Sequence, residues 1–237
     1  MDKETGYMTR KKVVTIKAFS ESDACDLPHG WERPTEFDLN AIACYDGSTF
    51  ELFVEEEYVG VRVRDRRANI RPLEEFKGWY EALESDTTIA GYGIIEWDMP
   101  LIFDKTGIGD YDARKNLRLD IHHYDLMEHM HEATEEHYGD YPRRIHLHAL
   151  ASINKIDQDV ISMIRYLFKP LALIAEWRRG NKANVLKTLC ADCVYVARLM
   201  SKINKDDSLM IRDERTDKKV RLPFVNHLSN TLTDDDA

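Results

Sequence analysis

Asp98 stands in the stretch GYGIIEWDMPLI (residues 91–102), where a run of small and apolar residues gives way to a helical pattern. A carboxylate at such a junction can reach a metal ion or a ligand at a sheet edge. Trp97, Met99, Leu101 and Ile102 begin an apolar helical face, and Pro100 falls in its first turn, where a missing N–H costs nothing. The same position suits a helix N-cap, for which Asp is among the best residues. A second constellation, Cys190-x-x-Cys193 with His146-x-His148, has the residue types of a four-ligand zinc site. Both cysteines fall on an amphipathic helix pattern, however, which favours half-buried packing. The histidines at 122, 123, 129, 131 and 137 read as a solvated helix face. Basic residues gather in two segments, Arg62, Arg64, Arg66, Arg67 and Arg71, then Arg165, Lys169, Arg178, Arg179, Lys182 and Lys187. Either could neutralise phosphates, although a charge run taken singly is more often a solvated face.

The elements that must hold these groups are those of one globular domain. At 237 residues, 43% hydrophobic and 32% charged, the chain can bury a proper core without staples. A net charge of −10 argues against coating nucleic acid by charge alone. No apolar run approaches the roughly 20 residues of a membrane span, and the polar N-terminus lacks a signal-peptide core. We expect a cytoplasmic protein whose four cysteines are free thiols, a single domain over residues 1–237, and flexible tails at 1–11 and 226–237. Strands are expected over 12–19 (KVVTIKAF), 39–45 and 49–54, the last two joined by an Asp46-Gly47-Ser48 hairpin turn. Residues 58–64 can extend or follow that hairpin. A helix follows over 73–83 and a strand over 87–95. The second half is helical: 124–137, 147–153 after a break at Tyr141-Pro142, 160–177 kinked at Pro170, and 184–203. Residues 208–225 read as a closing β-hairpin.

This order of strand, hairpin, helix and strand ending at Asp98, followed by a helix bearing Asp192, resembles the DEDD 3′–5′ exonucleases of the ribonuclease H-like fold. It is most similar to stand-alone relatives of the exonuclease domain of family B DNA polymerases. That family's second motif runs Gly-aromatic-Asn-x-x-x-Phe-Asp-x-x-x-Leu; GYGIIEWDMPLI follows it with Gly93 in the Asn place and Trp97 in the Phe place. The stretch 175–200 (AEWRRGNKANVLKTLCADCVYVARLM) resembles the third motif. Asp125 in HHYDLMEH and the run HLHALASI also sit where the family has helix starts.

The resemblance implies an α/β mixed sheet flanked by helices and a site in which clustered carboxylates hold two Mg²⁺ or Mn²⁺ ions about 4 Å apart over a phosphate. Asp98 and Asp192 would be two of its members. The first motif, Asp-x-Glu, belongs on the first strand, where alternate residues point the same way. On VVTIKAFS those places hold Lys17 and Phe19, neither of which binds a cation. A rival register at residues 36–40 (EFDLN) supplies Asp38 with Asn40 in the Glu place, but the polar, Pro-containing WERPTE before it is a poor central strand. The Tyr or His that the family sets four or five residues before the last Asp is Thr188 or Lys187 here. Lys17 is then either an ammonium replacing a metal beside Asp98 and Asp192, or an edge-strand lysine facing solvent. The resulting expectation is a nucleic-acid-associated, exonuclease-like protein with an eroded metal site. It would bind single strands or 3′ ends through Arg178, Arg179, Lys182 and Lys187, or work through a protein partner. The alternatives are an active Mg²⁺-dependent exonuclease using Asp38, Asp98 and Asp192, and a protein–protein scaffold.

Overall fold

The structure is a computed structural model that describes residues 13–55, 68–111, 121–139, 145–156, 170–213, 216 and 218–224. The arginines at 62, 64, 66 and 67, Arg165, Lys169, the strand extension at 58–64, the break at Tyr141-Pro142 and both expected tails lie outside the described residues.

The β-branched run VVTIKAF forms β1 (Val13–Phe19), an inner strand of a six-stranded mixed sheet. Its neighbours are β2 (Ala41–Tyr45), antiparallel, and β5 (Thr88–Gly91), parallel. β3 (Phe50–Val54) completes the predicted hairpin with β2, and the Asp46 carboxylate accepts the Ser48 and Thr49 N–H groups at 2.9 Å each, which closes the turn. Two strands were not anticipated: β4 (Ala68–Pro72) runs parallel to β3 at one edge, and β6 (His122–Asp125) runs parallel to β5 at the other. The spatial order is β4-β3-β2-β1-β5-β6.

Alternation along β1 sorts its side chains into two layers. Val14, Ile16 and Ala18 pack with Ile42, Phe53, Phe76, Tyr80 and Phe103 beneath α1 (Glu75–Glu81) and α2 (Met99–Lys105). Thr15, Lys17 and Phe19 face the other way, towards α5 (Pro170–Arg178) and α6 (Lys182–Asp206). Pro170 opens α5, and the expected helix before its kink lies outside the described residues. α6 is tied to the sheet by polar bonds as well as by packing: Thr15 Oγ1 donates to the Cys193 carbonyl at 3.0 Å, and Cys193 Sγ to the Ala43 carbonyl at 3.3 Å. A third cluster joins α3 (Leu126–Tyr138), α4 (Leu147–Ile153) and the far half of α6 to the closing hairpin, β7 (Ser208–Arg212) with β8 (Lys219–Pro223). The result is the ribonuclease H-like α/β architecture: a mixed sheet flanked by helices, a helical second half and a C-terminal hairpin. Among the described residues no helix is long and apolar enough to cross a membrane.

Several boundaries differ from expectation. The strand over 87–95 ends at Gly91, and Ile94–Asp98 is a single π-helical turn running into α2. Asp98 therefore has helical backbone angles and caps nothing; Asp125 is the cap, opening α3 by accepting the Met127 N–H at 2.9 Å. The expected helix over 124–137 begins at Leu126 because parallel pairing to β5 holds 122–125 extended. His123 is consequently no solvated residue. It lies between the Tyr111 hydroxyl at 2.9 Å and the Tyr80 hydroxyl at 3.3 Å, and burial first, with His122 second, lowers its pKa to about 4.

Candidate functional site

The loop after β5 aims Asp98 back at β1. Gly91 is obligatory at its start: a Cβ there would stand 2.0 Å from Ile94 Cγ2 and 3.1 Å from the Ile16 carbonyl. Gly93 takes φ +76°, a left-handed backbone open to glycine. The Asp125 carboxylate then gathers the N–H groups of Gly93 at 2.8 Å and Ile95 at 2.9 Å, besides that of its own helix. The π turn anchored in this way ends at Asp98, and such turns are frequent at functional sites.

Asp98 meets Lys17. The Lys17 Nζ donates to both carboxylate oxygens, at 3.1 Å and 3.0 Å, and the Asp98 side chain is only 4% exposed against 31% for Lys17. Lys17 is thus not on an edge strand facing solvent. Burial works against its ammonium, but the Asp98 charge, then the Asp192 charge, outweigh it and hold the Lys17 pKa above its ordinary value. Burial pushes the Asp98 carboxyl up while Lys17 pulls it down, and the net direction is up. The two directions compete, and one ammonium bonded to both carboxylate oxygens decides for an ion pair at neutral pH.

Asp192 projects from α6 into the same cleft. Burial raises its pKa to about 7, against the pull of Lys17 and with the push of Asp98. His148 Nε2 lies 3.3 Å from Asp192 Oδ1, in ion-pair range but without hydrogen-bond alignment, so that buried oxygen is left unbonded. Burial, His146 and Lys17 lower the His148 pKa to about 4, which leaves the ring neutral where Asp192 titrates. Thr188 lines the cleft one turn before Asp192, and its hydroxyl donates to the Asn184 carbonyl at 3.0 Å. Phe19 also lines the cleft and tilts against Trp177, ring centroids 5.0 Å apart.

The other candidates lie apart. Asp38 is on the surface, exchanging bonds with Ser22: its carboxylate accepts the Ser22 hydroxyl and its N–H donates to the same oxygen, each at 3.1 Å. Asp38 precedes β2, as a chain with β1 at 13–19 requires, and is not part of the cleft wall. The basic candidates on α5 and α6 have internal partners. Arg178 donates to the Glu21 carbonyl at 3.0 Å, Arg179 pairs with Glu176 at 3.3 Å, and Lys182 sits over the Trp177 ring at 4.1 Å. Lys187 is half-buried on α6. Cys190 and Cys193 are buried against the sheet in the α6 cluster, in keeping with packing. Among the described residues no three His, Cys, Asp or Glu side chains are grouped to hold a metal ion. With an ammonium on both oxygens of Asp98, the residues present do not fit a pair of divalent cations.

The cleft, about 210 Å³, has an aromatic rim that sequence reasoning missed. Trp97 packs edge-on to Phe37 at 4.6 Å, and Trp31, 57% exposed, leans on both at 4.9 Å and 5.4 Å. No periodic signal marks Trp31, which sits in a short helical turn (Gly30–Glu32) of the β1–β2 connection. Asp125 was noted as a helix start; its grip on the loop that carries Asp98 is visible only in three dimensions.

The strand order defines a ribonuclease H-like α/β fold, and Asp98 and Asp192 line one cleft beyond the end of β5. No family model matches the sequence, and no curated protein matches it. Among solved structures the chain is similar to exonuclease I, with 14% identity and a TM-score of 0.48, covering 83% of this chain and 41% of that one. It is similar to the zinc-bound complex of Escherichia coli exonuclease I with single-stranded DNA, with 14% identity and a TM-score of 0.46, over 83% and 41% of the two chains. For the ExoI/SSB-Ct complex the values are 15% and 0.39, over 74% and 43%. The chain spans about two-fifths of the length of exonuclease I, and at these scores the fold class rests on the strand order alone.

Proposed function

We propose that this chain is a nucleic-acid-associated protein on an exonuclease-like framework, in which the Lys17–Asp98 ion pair stands in place of a metal site, and that it engages single strands or their 3′ ends without hydrolysing them. The observation that carries this reading is the Lys17 ammonium bonded to both oxygens of a buried carboxylate. A two-metal hydrolysis needs that carboxylate free to bridge cations; here a covalently attached cation already occupies it. Free thiols at all four cysteines suit a reducing cytoplasm. Affinity for strands would come from local charge and the cleft, since the net charge of −10 opposes coating.

The test incubates a labelled single-stranded oligonucleotide with the protein in Mg²⁺ or Mn²⁺ and measures both binding, by fluorescence anisotropy across a salt series, and shortening from the 3′ end. Salt-sensitive binding without shortening supports the proposal. Degradation abolished by Asp38→Ala but not by Lys17→Ala overturns it in favour of an enzyme built on Asp38, Asp98 and Asp192. Absence of binding at low salt overturns it in favour of a protein scaffold.

A further inference from the structure

We infer that the groove between α4 and the closing hairpin is the seat of this chain's own acidic C-terminal segment, residues 228–236. The groove, about 410 Å³, is distinct from the cleft: His148 turns from α4 to the cleft, whereas Ala149 and Ile153 of the same helix line the groove. Its walls are apolar, with Ile145, Ala149, Leu150 and Ile153 on one side and Ile211 of β7 on the other. They stand at a fixed spacing, because the Asn154 side chain after α4 donates to the Met210 carbonyl at 2.8 Å and accepts the Met210 N–H at 2.9 Å. At one end Arg212 and Lys219 are directly opposite in the hairpin register, so two cations crowd one spot. Arg212 is engaged elsewhere, and the exposed Lys219 is the charge for an occupant to meet. An apolar slot with a cation at its end calls for apolar residues followed by acidic ones.

The sequence past Phe224, VNHLSNTLTDDDA (225–237), lies outside the described residues and has that composition. Leu228 and Leu232 supply the apolar groups, and Asp234, Asp235 and Asp236 follow them with negative charge. Electrostatics selects between the two grooves at this hairpin. Where β8 ends, Pro223 and Phe224 line a groove that also holds Glu132, Glu135 and Glu136 of α3, and those carboxylates repel three aspartates. Lys219, at the start of β8, attracts them. Length permits the return. The five residues of β8 span about 17 Å at roughly 3.4 Å each, whereas Asp234 follows Pro223 by 11 residues, a reach of up to about 36 Å. A tethered segment meets its seat at an effective concentration on the order of millimolar, so two leucines and one cluster of charge suffice to hold it. The docking holds whether or not the chain binds strands, since among the described residues the groove and the cleft share no lining residue.

The test uses the full chain and two readouts. A water-soluble carbodiimide condenses a carboxylate with an adjacent amine into an amide, and peptide mapping of the monomer band should recover Lys219 joined to Asp234, Asp235 or Asp236. Cover is read separately: Ser152→Cys puts a thiol on the groove wall, and mass spectrometry follows its labelling by a thiol reagent apart from that of Cys25. In that background Leu228→Ser with Leu232→Ser should speed labelling at least about tenfold. Lys219→Glu should also speed it, and adding Asp234→Lys, Asp235→Lys and Asp236→Lys to Lys219→Glu should restore the slow rate, which a merely structural effect of Lys219 would not do. Matching far-UV circular dichroism will show that the variants are folded. Faster labelling in the leucine pair, reversed charge restoring it, supports the docking. Cross-links confined to the dimer band, with labelling that slows as protein concentration rises, overturn it in favour of a second copy of the chain. Labelling indifferent to the leucine pair and to the charge exchange overturns it whatever the cross-links, because a segment that only passes Lys219 covers nothing.

Discussion

Replacing Lys17 by Met removes the ammonium and keeps the length of the side chain, leaving Asp98 buried with its remaining bond from the Ala18 backbone N–H. Stripping one partner from a buried pair costs about 3–5 kcal/mol when the other charge is left dry. Lys17 is 31% exposed, so water can follow into the space, and the expected loss at pH 7.5 falls to about 2–3 kcal/mol. For a chain of this size that corresponds to a fall in Tm of roughly 4–12 °C. The pH dependence has a definite sign. The Asp98 carboxyl is already raised in the folded state and rises further without Lys17, so the folded protein holds its proton more tightly than the unfolded chain does. The penalty is therefore smallest near the unfolded carboxyl pKa of about 4 and grows as pH climbs through the folded value. Urea unfolding at pH 5 and pH 7.5 should show the variant losing more at the higher pH. Asp98→Asn should cost less, about 1–2 kcal/mol, because Lys17 still faces Asp192. The double variant should fall short of the summed losses by at least about 1 kcal/mol. Losses that add within about 0.5 kcal/mol, with no pH dependence, would refute the bonded pair.

Other perturbations probe the frame around that pair. Asp125→Ala deprives the Gly93, Ile95 and Met127 N–H groups of their acceptor and should cost about 2–4 kcal/mol in thermal unfolding; a loss under about 1 kcal/mol would mean the loop is held by something else. Gly91→Ala drives a methyl onto Ile94 Cγ2 at 2.0 Å and should destabilise by about 2 kcal/mol or more, whereas the fully open Gly78 should tolerate Ala. His123, lowered to about 4 in the fold, contributes stability present above the unfolded histidine value of about 6.5 and lost as pH falls towards 4; His123→Gln should flatten that limb by on the order of 2–3 kcal/mol, as read by urea unfolding at pH 4.5 and 7.5. Burial pushes the Cys44 and Cys193 thiols well up, so a thiol reagent should label the native protein quickly at Cys25 alone and at the others only on unfolding, with or without Zn²⁺.

The parts of this fold that could be read in the sequence are those with local causes. β1 declares itself by a β-branched run, the β2–β3 hairpin by its Asp-Gly turn, and α6 by its apolar period. β4 and β6 do not, because ANIRP and HHYD have no strand pattern and are held extended only by parallel neighbours. Such pairing is a tertiary effect that outweighs propensity over four or five residues. The site divides in the same way. Lys17 and Asp98 stand on a recognisable strand and a recognisable junction, so their meeting follows once the strand is placed correctly. Trp31 and His148 come from a connection and a short helix, and only packing brings them to the cleft. The cap has the same origin: both Asp98 and Asp125 precede helices, and only the fold shows that Asp125 is extended and accepts the Met127 N–H while Asp98 is helical and turned to Lys17.

A further prediction follows from what two buried carboxylates require. Asp98 and Asp192 face one cleft, and a fold that buries both must supply positive charge or protons there. Lys17 supplies the charge from within the chain and a pKa raised to about 7 lets Asp192 take up a proton near neutral pH, so the folded state should be indifferent to divalent ions. A bound metal would add stability as RT ln(1 + [L]/Kd), about 2.7 kcal/mol at a hundredfold excess over Kd, or roughly 5–10 °C in Tm for a chain of this size. Wild type should melt at the same temperature in EDTA and in millimolar Mg²⁺ or Mn²⁺. The variant Lys17→Asp with Phe19→Glu should melt lower in EDTA, since it adds charge beside Asp98 and breaks the Phe19–Trp177 contact, and should recover several degrees when Mn²⁺ is added. A melting temperature of the wild type that rises with Mn²⁺ and is lowered by Asp98→Asn would show that the cation can displace the ammonium, and the ion pair would then be a resting state of a metal site.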